Sequence, residues 1–223
     1  KATADNGGRQ SIRYASDQGQ VCASRGGADK ALGGPIPSLD PGYEDLTNLY
    51  PHDLAKAKKL LSEAGYSASN PLKLTLTYPN TYGTELGDQL RSQLKEANID
   101  LKVNVVEFST WLQDVYTDKD YDLSMVDHNE SHDFSQWTNP DYYYGYDNKE
   151  VQDLASKALS STDETQADED LKAAAKIVSE DAAADWLFNY RVTAATAKGG
   201  EGFPFNMNQT GRPLAQLTYT PAK

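Results

Sequence analysis

From Leu72 to Val126 the hydrophobic period of the chain switches repeatedly between two and about 3.6 residues, and this switching constrains the fold more than any other feature. Leu72, Leu74, Leu76 and Tyr78 alternate with Lys73, Thr75 and Thr77, the pattern of a half-buried strand that Pro79-Asn80 ends. Leu86, Leu90, Leu94 and Ala97 then share one helical face, and Leu101, Val103 and Val105 alternate with Lys102 and Asn104 in a second strand. Ser109 is expected to cap a further helix carrying Trp111, Leu112, Val115 and Tyr116, ahead of a third strand from Tyr121 to Val126. Two successive βαβ units result. Right-handed crossovers make such strands parallel, so their carboxyl ends open on one edge, where α/β sheets bind ligands.

Helical patterns flank this block. Residues 8–24 read as one helix, and the connector from Gly26 to Tyr43 is too rich in Gly and Pro for regular structure, so its Pro35-Ile36-Pro37-Ser38 reads as an ordered surface loop. Asp53 caps a helix over 53–64 that carries Leu54, Ala57, Leu60, Leu61 and Ala64 on one face and stops at Gly65. Asn148 caps a helix with Val151, Leu154, Ala155, Ala158 and Leu159, and Ser161 with Glu164 forms a capping box for a longer helix reaching Ala184. Trp186 to Val192 reads as a buried strand. From Gly199 onward Gly, Pro and Asn dominate, apart from a short strand-like stretch, Leu214 to Tyr219.

A chain of 223 residues with 38% hydrophobic content buries a sizeable core, and one large domain is expected. A formal net charge of −12 argues against nucleic acid and against an anionic membrane surface as partners. The run Asp163, Glu164, Asp168, Glu169 and Asp170 reads as a solvated helix start. Cys22 is the single cysteine, so an internal disulfide framework is excluded. No apolar run reaches membrane-spanning length, and the opening KATADNGGRQ has neither the charged region nor the apolar region of a secretion signal, as in a cytosolic protein or an excised piece.

The helix at 53–64 also carries a wording. Tyr50-Pro51, Asp53, Ala57-Lys58 and Leu60-Leu61-x-x-Ala64-Gly65-Tyr66 resemble the domain-opening segment of family 5 extracellular solute-binding proteins, the peptide, nickel and glycan receptors of ABC importers. Arg9-Gln10-Ser11-Ile12-Arg13-Tyr14-Ala15-x-Asp17 is similar to the family's preceding helix. The resemblance implies an α/β lobe of the periplasmic-binding-protein type (class II, cluster C), with a mixed, largely parallel sheet flanked by helices. It implies an opening helix and connector over 1–48, a lobe core over 49–198, and a tail over 199–223 that returns to an amino-terminal lobe preceding this chain. It further implies an extracellular or periplasmic location, ABC permease subunits as partners, a monomer, and contact with the membrane only through an upstream lipid anchor.

The third strand runs into Asp127-His128-Asn129-Glu130-Ser131-His132-Asp133-Phe134, then Trp137 and the run Tyr142-Tyr143-Tyr144-Gly145-Tyr146. Donors, acceptors and flat rings concentrated at a strand's carboxyl end suit a small polar ligand. The expected ligand-binding residues are therefore His128, Asn129, Glu130, Ser131, Asp133 and Trp137, joined by Tyr78 and Asn80 from the end of the first strand. Asp122-Leu123-Ser124-Met125 and the loop after it resemble the family's ligand-contacting strand and loop, where many members carry Gly-Trp and then an acid that holds a peptide's amino group. Here Asp127-His128 stands in place of Gly-Trp and Ser131 in place of the acid, with Glu130 and Asp133 on either side. The ligand is expected to be a peptide or an oligosaccharide-like solute.

No cofactor is expected. His128, Glu130 and His132 would share a face if the strand continued, but a fourth metal ligand is lacking, and the calcium-type start at Asp127 has His132 where Gly is required. Glu130 and Asp133 as an acid and base pair would make a carboxylate-based hydrolase, and the family fold also serves as the ligand-sensing domain of transcription regulators. Binding by an importer receptor, without catalysis, is the reading preferred over both.

Overall fold

The computed structural model describes residues 2–128, 133–193, 195–204 and 214–221. Among them the chain forms two compact units, Lys1–Tyr190 and Arg191–Lys223.

In the larger unit, helix α1 (Asn6–Ala15) starts on Asp5, whose carboxylate accepts the Gly8 N–H, and α2 (Gln18–Ser24) starts on Asp17, which accepts from Gln20. The single helix expected over 8–24 is thus broken at Ser16-Asp17. Gln93 explains the break: its Oε1 accepts the Asp17 N–H at 3.0 Å, so this amide is satisfied without the helical bond back to Arg13, and its Nε2 donates to the Asp17 carbonyl at 3.3 Å. Strand β1 (Lys30–Ala31) lies within the connector. Helix α3 (Leu54–Glu63) begins on Asp53, as its pattern indicates, and ends at Gly65, whose φ of 89° lets Tyr66 N–H return to the Leu61 carbonyl at 2.8 Å.

Strand β2 (Leu72–Pro79), helix α4 (Glu85–Glu96) and strand β3 (Ile99–Val106) make the first βαβ unit, with Leu72 opposite Ile99 and Tyr78 opposite Val105 in parallel register. Helix α5 (Phe108–Trp111) runs on as π-helical turns over Leu112–Thr117 and leads to β4 (Leu123–Ser124), parallel to β2. The sheet order is β3-β2-β4, with β2 central. Thr77 is buried along with Leu76 and Tyr78, so the second half of β2 is covered on both faces, while Lys73 in its first half is exposed as its alternation indicates.

Several boundaries differ from the sequence expectation. Ser109 lies inside α5, because Glu107 adopts the extended N-cap conformation while its carboxylate accepts from Asn80. The third strand shortens from 121–126 to two residues; the Asp122 carboxylate takes the Thr75 N–H at 3.1 Å in place of a ladder carbonyl. Helix α6 (Lys149–Ser160) starts on Asn148 as expected, whereas α7 (Glu164–Glu180) is capped by Asp163, with the Ser161 hydroxyl turned to the Asp163 backbone. Within the acidic run, Asp168 accepts the Gly42 N–H and pairs with Lys172, which fixes the connector to α7.

The buried strand expected over 186–192 reduces to β5 (Phe188–Asn189), antiparallel to β1. Side chains of α1 and α2 occupy the backbone just before it. Arg9 donates to the Asp181 carbonyl at 3.1 and 2.9 Å, Arg13 to the Ala184 carbonyl at 3.1 Å, and Gln18 to the Trp186 carbonyl. Ile36 of the connector is 6% exposed and packs with Val151, Ala174 and Val178, so this loop contributes to the core. In the smaller unit, β6 (Gly200–Glu201) pairs antiparallel with β7 (Thr218–Tyr219) after a 3₁₀ turn at Leu214–Gln216.

Candidate functional site

The carboxyl ends of β2, β3 and β4 open on one edge, and each delivers polar groups there. After β2, the 3₁₀ turn Asn80–Tyr82 holds exposed Asn80, whose Nδ2 donates to Glu107 Oε1 at 2.7 Å just beyond β3. After β4 come Asp127 and His128. The Asp127 N–H donates to the Tyr82 hydroxyl at 2.9 Å, and the Tyr190 hydroxyl donates to Asp127 Oδ2 at 3.1 Å. His128 Nε2 stands 2.8 Å from the Tyr143 hydroxyl.

Behind His128 rises an aromatic wall. Its ring centroid lies 6.1, 5.8 and 5.9 Å from those of Tyr142, Tyr143 and Tyr144. Trp137, on the 3₁₀ segment Asp133–Thr138, stacks on Tyr144 at 4.3 Å and 27°. Trp111 anchors the wall from below: it is 2% exposed, meets Tyr143 edge-on at 5.7 Å and donates from Nε1 to Ser124 Oγ at 2.9 Å. The Tyr143 carbonyl accepts from the Tyr121 hydroxyl at 2.7 Å, and burial among tyrosines raises the Tyr143 pKa well above the ordinary phenol value. The Tyr143 hydroxyl therefore stays protonated beside His128.

A cavity of about 630 Å³ in the larger unit is lined in part by His128, Trp137, Tyr143, Tyr144, Arg13 and Asp185. Arg13 lies under the Trp186 ring at 5.1 Å and the Tyr50 ring at 4.6 Å, with Asp185 Oδ1 3.4 Å from its Nε. Burial lowers the Arg13 pKa and raises that of Asp185, each opposed by attraction to the other, so desolvation outweighs the pairing.

The residues expected to bind ligand therefore fall in different places. His128 and Trp137 come together on the aromatic wall, and Asp133 opens the segment that carries Trp137. Asn80 sits on the strand-end edge, tied to Glu107. Tyr78 is fully buried in the aliphatic core, its hydroxyl against Gly87 of α4. Asn129, Glu130 and Ser131 lie outside the described residues, as does the His128-Glu130-His132 arrangement considered for a metal. Among the described residues no group of three His, Cys, Asp or Glu is placed to hold a metal ion, and no helix is long and apolar enough to cross a membrane. Tyr190 carried no signal in the sequence, because it reaches Asp127 across 63 residues of chain.

A parallel sheet with helical crossovers and a polar, aromatic strand-end edge defines one lobe of the α/β binding-protein type. Residues 1–150 match the bacterial extracellular solute-binding proteins, family 5 (Middle), and the chain belongs to this family. It is 33% identical over 216 residues to the "Probable D,D-dipeptide-binding periplasmic protein DdpA" of Escherichia coli (strain K12), covering 89% of this chain and 40% of DdpA. Its fold is that of the Escherichia coli murein tripeptide binding protein MppA (TM-score 0.81, 21% identity, 100% of this chain and 46% of MppA). It is likewise that of the periplasmic binding protein DppA from Helicobacter pylori in complex with the peptide STSA (TM-score 0.74, 22% identity, 84% of this chain and 39% of DppA). The chain thus spans less than half the length of each of these proteins, and all are binding proteins rather than enzymes.

Proposed function

We propose that this chain is the ligand-binding lobe of the extracellular solute-binding subunit of an ABC importer, and that it helps capture a peptide or another small polar solute. The observation that carries the reading is the convergence of three parallel strand ends on an edge bearing Asn80, Asp127, His128 and the Trp137–Tyr144 wall. The His128 imidazole and the Asn80 amide supply orientation, and the rings supply flat contact area. In the complete receptor this edge faces a second lobe, and closure of the two around the ligand produces the form that docks on the permease. The receptor works as a monomer at the extracellular face of the cell membrane or in the periplasm, with its export signal or lipid anchor upstream of this chain. His128, Asn129, Glu130, Ser131, Asp133, Trp137 and Asn80 are the proposed ligand contacts, whereas Tyr78 supports them from within the core. No cofactor takes part.

Calorimetric titration of the natural-length protein and of this chain alone, with D-alanyl-D-alanine and a panel of di- to tetrapeptides, tests the reading. Binding by the natural-length protein and weak or undetectable binding by the chain alone are expected. Submicromolar binding by the isolated chain would overturn the two-lobe mechanism, and failure of every peptide with the natural-length protein would remove peptides as the ligand class.

A further inference from the structure

We propose that Tyr82 and Tyr190 are positioning residues: their hydroxyls grip Asp127 from two sides and so determine where His128 meets the aromatic wall. The inference rests on the proposed binding role of that wall.

Ser124 is the last residue of β4, so no strand ladder sets the direction of the chain at Asp127. Two phenols do so. Tyr82 closes the turn that follows β2, and its oxygen accepts the Asp127 N–H at 2.9 Å. Tyr190 lies just past β5 and donates to the Asp127 carboxylate at 3.1 Å. One grip is on the backbone and the other on the side chain, so together they fix both the position and the rotation of this residue. The next residue is His128, whose Nε2 lies 2.8 Å from the Tyr143 hydroxyl and whose ring centroid is 5.8 to 6.1 Å from those of three tyrosines.

Exposure distinguishes this arrangement from ordinary core packing. Tyr82 is 37% exposed and Tyr190 is 41% exposed, and Asp127 itself is exposed. Hydrogen bonds between such groups compete with water and contribute little to global stability. Their effect is local: they select one geometry for the imidazole before a ligand arrives, which lowers the ordering cost of binding. The two tyrosines come from elements far apart in sequence, so the device exists only in the folded lobe.

The test uses the natural-length protein with Y82F, Y190F and their double variant, which remove hydroxyls and little else. Selective labelling of the histidine imidazoles gives an NMR readout that requires no ligand. The His128 resonance is expected to shift or broaden in the double variant while that of His52 stays in place; an unchanged His128 signal overturns the proposal. Calorimetry with D-alanyl-D-alanine and the peptide panel should show affinity about threefold weaker in each single variant and about tenfold weaker in the double.

Asp127 provides the discriminating pair. D127A keeps the backbone N–H bond to Tyr82 and loses only the Tyr190 partner, so it should match Y190F, and D127N, whose amide oxygen still accepts from Tyr190, should recover most of that loss. Equal losses in D127N and D127A would overturn the positioning role and assign the charge to ligand contact. A large fall in melting temperature alongside weaker binding would also overturn it, in favour of a structural role. If the unmodified protein binds none of the peptides, the peptide reading fails, and the His128 resonance alone decides the positioning role.

Discussion

The two halves of the larger unit are built from different chemistry. Around β2 and β3 the core is aliphatic: Leu61, Leu72, Leu74, Leu76, Leu94, Ile99 and Leu101 are all at most 5% exposed. From α5 to α7 it is aromatic: Phe134, Trp137, Tyr144 and Trp186 pack with small residues of α6 and α7, and Trp111 and Tyr143 pack together with Val115 and Tyr144. Leucines fill space and fix the sheet, and nothing in them can recognise a ligand. Tyrosines and tryptophans fill space too, but each carries a polar end that must find a partner, so burying their rings also places hydrogen-bonding groups. The aliphatic half therefore supports the strand-end edge, and the aromatic half forms it.

Substitutions can break this contrast, and the largest effect belongs to the aliphatic half. Leu61→Ala, at a fully buried position, should lower unfolding free energy by about 3 kcal/mol in denaturant titrations and leave the His128 resonance unchanged. A shifted His128 signal would show that the halves are coupled. Gly87→Ala should cost about 2 kcal/mol, since its methyl group would lie 2.5 Å from the Tyr78 hydroxyl and 2.9 Å from Val103. The cost should shrink in a Tyr78→Phe background, and a double-mutant cycle without coupling would disprove the steric account.

In the aromatic half, Trp137→Phe keeps a ring on Tyr144 and should cost only about 1 kcal/mol of stability, while altering ligand affinity several-fold. Loss of stability with no change in affinity would place Trp137 with the leucines in role. The smallest effect concerns Asp185. Burial raises its folded pKa, so folding takes up a proton between the ordinary carboxylate pKa of about 4 and the raised folded value. Its contribution to stability is thus fully present below about pH 4 and is lost as pH rises through that window. The stability advantage of the unmodified protein over Asp185→Asn should decline as pH rises above about 4, and an advantage that grows with pH would contradict the burial argument.

Much of the aliphatic half was legible in the sequence. Alternating apolar residues in 72–78 and 101–105 and the helical spacing of Leu86, Leu90 and Leu94 are local periods, and each appears in the structure as an element of the expected type. Asp53 and Asn148 cap their helices because an N-cap bond spans only two or three residues. The helix expected to start on Ser161 starts two residues later, because the Asp163 carboxylate accepts the Thr165 and Gln166 N–H groups while the Ser161 hydroxyl takes only the Asp163 N–H. The strand-end site was legible as composition and only partly as geometry. His128 and Trp137 share the wall, but Tyr78 points into the core, because a residue on the central strand presents its side chain to whichever helix covers that face.

By itself the sequence determined the order of elements from α3 to α7, the parallel crossovers and the family, because each rests on residues within a few positions of one another. Only the tertiary structure decided the helix break at Ser16-Asp17, the shortening of the strand over 186–192 and the two-sided grip on Asp127. In each of these a side chain from a distant element supplies the hydrogen bond that a local ladder or helix would otherwise have made. Such competition is settled by packing, and no local period records it.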